Sequence, residues 1–171
     1  MGAIDGVPLL LSAAEVTARK FDESVSKLHK LMHEQGGQTV FVNGLRMATV
    51  QIEVAVVGVF SLFEARMQSQ FPKGPFFKQL KEHLIELEQP ELATSIWHYY
   101  LAVNVLKHGP GSSYEELRKI PNLPFPIKQL GDVFFDEGDV SEPEGLINVT
   151  ATGFFEGLIS TLSRVHICLD G

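Results

Sequence analysis

A chain of 171 residues has the size of one domain and can bury a single core without disulfides or metal. Its formal net charge of −7 excludes a surface that grips phosphate everywhere, although a local basic patch stays compatible with that total. A hydrophobic share of 44% and a charged share of 20% place it with ordinary globular chains, not with disordered ones. The one cysteine, Cys168, cannot form an internal disulfide, which fits a reducing compartment.

The first element is expected to start at Ser12, because Glu15 three residues later completes a capping box. Val16, Phe21, Val25, Leu28, Leu31 and Met32 then recur at helical spacing, and Gly36-Gly37 stops the segment. The next segment, from Asn43 to about Gln70, is apolar nearly all round. Val50, Ile52, Val54 and Val56 alternate as a strand would, yet the pattern continues without a turn signal far beyond strand length. It is read as a long central helix, with Gly58 permitting a close helix–helix approach.

Pro72, Gly74 and Pro75 break the chain, and Phe76, Phe77, Leu80, Leu84, Ile85 and Leu87 then define an apolar helical face. Pro90 suits the first turn of a following helix, which carries Ile96, Trp97, Tyr100, Leu101 and Val105 and ends at Gly109-Pro110-Gly111. Ser113 and Glu116 form a second capping box, for a short helix at 114–120. Residues 121–148 contain four prolines and many acidic residues. They read as an irregular arm with one short strand at 132–135. Thr150 or Thr152 is placed to cap a last helix with Phe154, Phe155, Leu158, Ile159 and Leu162 inward. The sum is an all-α, up-and-down bundle of four long helices, a short helix and the arm. The chain 1–171 is taken as one domain with its core over about 12–166.

Chemistry is most concentrated in "NVLKHGPGSSYEEL", residues 104–117. Asn104 and His108 lie four apart and so share a helical face, with Tyr100 one turn earlier and Trp97 near the same stripe. A histidine there can serve as general acid or base, and an asparagine can orient it or hold a phosphate oxygen. The same pair also suits a plain helix ending, since a histidine near a C-terminus meets the last carbonyls and the dipole favourably.

The order of these elements resembles the HEPN superfamily of helical domains. In that family a long helix carries an aromatic-Glu segment, matched here by Phe63-Glu64. A later helix carries an Arg-polar-x-x-x-His motif and a small-residue turn, matched by Asn104, His108 and Gly109 to Gly111. The resemblance implies a homodimer and, with the full motif, a metal-independent ribonuclease in which histidine moves a proton and arginine offsets phosphate charge. One position departs from it. The family's arginine falls at Val103, and residues 101–104 are "LAVN", so no arginine stands in that turn. Lys107 is adjacent to His108 but is expected to face elsewhere, and Arg66 would serve as the phosphate cation only if the fold brings it close.

The resulting expectation is a HEPN-like interaction module, dimeric and without ordinary nuclease activity, in the setting of bacterial defence or stress. The alternative is a weak or partner-activated ribonuclease using His108 with Asn104. A third reading is a small-molecule bundle using the Trp97-Tyr100 wall. Partners would be a second copy, a protein or RNA. With no basic residue ahead of the N-terminal apolar run, and with Val54–Phe63 only half a spanning length, a cytoplasmic chain without membrane contact is expected. No cofactor or metal is expected. His83 and Glu86 offer only two ligand types on one face, and the acidic stretch 136–144 lacks the ligand order of a calcium loop.

Overall fold

The computed structural model describes residues 6–36, 39–128 and 145–170. Six helices lie among them: α1 (Gly6–Gln35), α2 (Thr39–Met67), α3 (Phe76–Glu86), α4 (Pro90–His108), α5 (Ser112–Leu117) and α6 (Phe154–Asp170). A 3-10 turn, Gln68–Gln70, closes α2. No strand occurs among the described residues, and the alternation at 50–56 is helix throughout. The all-α bundle expected from the periodicity is therefore the fold; the strand expected at 132–135 lies outside the described residues.

α1 begins earlier than its capping box suggested. Val7, Leu10, Leu11, Ala14 and Ala18 form one continuous buried stripe that passes through Ser12, so burial carries the helix upstream of the local cap signal. Pro8 is tolerated because a first-turn N–H has no helical partner to lose. Gly36, with a φ of 81°, supplies the left-handed residue that ends the helix.

α1 and α2 form an antiparallel hairpin, their packing the most extensive between any two elements. At one end the Arg66 guanidinium donates to the Gly6 carbonyl. Toward the other, the space where a Cβ would stand on Gly44 lies 3.1 Å from Leu28 Cδ2. The close approach expected of a helical glycine is thus made by Gly44. Gly58, which was expected to make it, has nothing of its own chain within 4 Å of that position. No residue of α1 beyond Ala18, and none of α2 before Ala48, is buried, although Phe21 still packs against the core.

The central helix is α4, not α2. Leu92, Ala93, Ile96, Tyr99, Leu101, Ala102, Val103 and Val105 are all buried, more sides than a one-faced helix could offer. α3, α5, α6 and α2 all pack around it. Phe76, Phe77, Leu80 and Leu84 hold α3 to it, while Ile85 and Leu87, expected inward, face solvent at 53% and 41% exposure. Each fully buried Leu, Ile or Phe contributes about 1.5–3 kcal/mol relative to exposure.

The second capping box does not form either. α5 starts at Ser112 with no side-chain cap, and Glu116 instead accepts the Trp97 indole N–H at 2.6 Å. Beside the 129–144 segment the described chain has no helix, as the irregular arm implied, but a few of its residues are anchored in the core. Phe125 packs on Tyr99 and Phe154, and Ile147 and Val149 are buried. An antiparallel bridge, Ile127 to Ile147, and the Tyr114 hydroxyl on the Lys128 carbonyl (2.8 Å) tie the two sides down. Before α6, Thr150 donates to the Asn148 side chain (2.8 Å) and the chain turns at Gly153, φ 84°.

Candidate functional surface

The His108 pair sits where α4 leaves the core. His108 is exposed at the last helical position, Asn104 is half-buried one turn back, and Gly109 closes the helix with its N–H on the Val105 carbonyl at 2.8 Å. Neither side chain has a hydrogen bond or ion pair with another described residue. Val103 points the other way and is only 2% exposed. Five residues of helix put 103 and 108 about 140° apart. The position of the missing arginine is therefore a core position in this chain.

The two cations named from sequence do not assemble a phosphate site there. Arg66 is half-buried at the far end of α2 and is held by Gly6. Lys107 is exposed beside His108. Phe63 of the aromatic-Glu pair is fully buried, with Glu64 half-buried next to it.

Trp97 and Tyr100 do form a wall, and it is used for packing. Their rings lie 4.8 Å apart, Tyr100 continues to Phe77 at 5.2 Å, and Phe77 stacks on Phe60 at 4.2 Å. Lys81 Nζ stands 4.4 Å over the Trp97 ring, while Glu116 takes the indole N–H. The column thus clamps α2, α3, α4 and α5 together. Next to it, burial and the Lys81 charge hold His98 below its ordinary pKa. His83 pairs with Glu86 at 3.4 Å at the surface, and no group of three or more His, Cys, Asp or Glu among the described residues could hold a metal.

Two features escaped the sequence reading. The first is a cleft of about 540 Å³ between α1 and α6, lined by Glu15, Arg19, Asp22, Glu156, Ser163 and Arg164 among others. Partial desolvation in the cleft, a hydrogen bond to Glu156 and the Glu156 charge push the Asp22 carboxyl up to about 6. The positions are 134 residues apart in the chain, so no local pattern announces the pair.

The second feature is the outer face of α2. Val40, Met47, Val50, Val54 and Leu62 are between 48% and 68% exposed. The other exposed residues of the helix are Thr39, Asn43, Gln51, Ser61 and Ala65. None carries a charge. All four charged residues of α2, Arg46, Glu53, Glu64 and Arg66, are half-buried on its flanks. A solvated helix normally has the reverse distribution, with charge opposite the core. Sequence signalled this as a helix apolar nearly all round, which on its own implies full burial. By length and composition Thr39–Gln70 also passes as a membrane-crossing segment, but Ile52, Val56, Phe63 and Met67 on its inner face are bundle core.

Comparison with family models, curated proteins and solved structures finds no match to this chain.

Proposed function

We propose that this chain is a HEPN-like helical interaction module, working in the cytoplasm as a homodimer and lacking ordinary nuclease chemistry at His108. The observation that carries the reading is the exposed, charge-free face of α2, five to seven turns of apolar, small and uncharged polar residues that no described part of the chain covers. The α4 end supports the second half of the reading. An arginine at 103 would project into the core, leaving His108 to move a proton with no fixed cation to offset phosphate charge.

Two measurements test this. Light scattering at micromolar concentration is expected to give twice the chain mass, and a monomer removes the interaction reading. Purified protein incubated with RNA in EDTA is expected to leave it intact. Cleavage that disappears in His108→Ala would instead establish the ribonuclease alternative, which the accessibility of His108 keeps chemically open.

A further inference from the structure

The α2 face has an uneven profile along its length. Its first half is bulky, with Val40, Met47 and Val50, and the midline of its second half is small, with Gly58, Ser61 and Ala65, while Leu62 stands at the edge. Val54, the most exposed residue of the stripe at 68%, stands at the change-over. A helix advances 100° per residue, so these positions stay within about 60° either side of one line along α2. Gly58 is open where a Cβ would project, so a second helix can approach its backbone closely.

We infer that the occupant of this face is α2 of a second copy, packed antiparallel about a two-fold axis close to Val54. This rests on the self-association proposed above and specifies its geometry. Such an axis turns the bulky half of each helix onto the small half of its mate, Val50 toward Gly58 and Met47 toward Ser61. A parallel pair would stack bulky on bulky and leave a gap beside the small residues. A partner for this stripe must itself be uncharged, because a charge buried against valine and methionine would lose its water without compensation. The second copy meets that requirement by identity, as a two-fold contact demands.

Flank charges agree with the same arrangement. Arg46 and Glu64 are 18 residues apart, five whole turns, and so lie on the same flank. The two-fold brings Arg46 alongside Glu64 of the partner subunit; Arg46 already has a partner within its own chain and keeps further N–H donors. The size is adequate with the neighbouring grooves. A stripe from 40 to 65 is about 38 Å long and about 10 Å wide, or about 400 Å². Hollows of about 190 Å³ against α1 and about 210 Å³ beside 145–150 border it on either side. Their rims add to that area, toward the roughly 500 Å² per copy that is the lower bound for a specific contact.

Cysteine cross-linking in a Cys168→Ser background tests the register. Facing helices 8–10 Å apart place opposed Cα atoms within disulfide range. Val54→Cys is expected to form a disulfide dimer under mild oxidation, and Met47→Cys alone to form none. Mixing Met47→Cys with Ser61→Cys protein should give the mixed dimer. Val54→Arg should weaken dimerisation at least about 10-fold, while Ile167→Arg on α6 should leave it unchanged. Self-linking of Met47→Cys would overturn the antiparallel arrangement. A dimer insensitive to Val54→Arg would overturn this face and leave self-association standing. A monomeric chain takes both away, and the thiol at 54 then names the other occupant. Protection from a thiol reagent assigns the face to the chain's own 129–144 segment, and protection only with vesicles assigns it to a lipid surface.

Discussion

Gly157 of α6 is the residue on which the Tyr99 hydroxyl of α4 rests. A Cβ at 157 would overlap that oxygen, and Tyr99 cannot retreat because Phe125 and Phe154 press on its ring at 5.3 and 5.6 Å. Alanine would favour the helix by up to about 1 kcal/mol. The clash opposes it by about 1–3 kcal/mol, so overpacking wins. Gly157→Ala is expected to lower stability in urea unfolding, and Tyr99→Phe to relieve most of that loss. A double-mutant cycle showing simple additivity would separate the two residues. The same enclosure, with the Glu156 carboxylate nearby, pushes the Tyr99 phenol up to about 12.

Asp22, set beside Glu156, makes folding stability depend on pH. The Asp22 carboxyl is raised from 3.8 to about 6 in the folded state, so the fold holds its proton more tightly than the unfolded chain does. That contribution is fully present below the unfolded value and is lost as pH rises through about 6. Asp22→Asn removes the repulsion that remains above it. The variant should therefore gain Tm relative to the native chain at pH 8 and lose that advantage by pH 4. An equal difference at both pH values would show that the Asp22 proton is not linked to folding.

Arg66 ties the two ends of the α1–α2 hairpin. Arg66→Met keeps most of the aliphatic packing and removes the bond to the Gly6 carbonyl. A loss of about 1 kcal/mol is expected, read as faster amide exchange confined to the first turns of α1. Exchange that accelerates equally in α4 would place the role of Arg66 in the global fold instead.

Trp97 is the only tryptophan, so its fluorescence reports one contact. Glu116→Gln keeps an oxygen for the indole N–H and should leave the emission near its native wavelength. Glu116→Ala exposes that N–H to water, and should shift emission to the red with a loss of about 0.5–1.5 kcal/mol. Identical spectra for the two variants would show that the 2.6 Å bond does not hold in solution.

The elements were largely legible because helices leave periodic traces. The stops at Gly36 and Gly109 and the Pro90 start stand where the residues indicated. Local cap signals were less dependable. Ser12 and Ser113 both had the right neighbours for a capping box, yet burial of Val7 and Leu10 extended one helix past its cap. The Trp97 indole claimed the glutamate of the other. A cap is worth about 1 kcal/mol, and a buried side chain outweighs it.

What the sequence determined by itself is the all-α class, the order of its helices and the absence of an arginine from the turn before His108. These are properties of spacing and identity, which short windows contain. Tertiary structure alone decided that α4 and not α2 lies at the centre, that Val103 faces the core, and that Asp22 meets Glu156. A helix apolar nearly all round has the same pattern whether its last face meets its own chain or is left for another. Only the packing of the remaining helices distinguishes the two, and it leaves Val54 and Gly58 in the open.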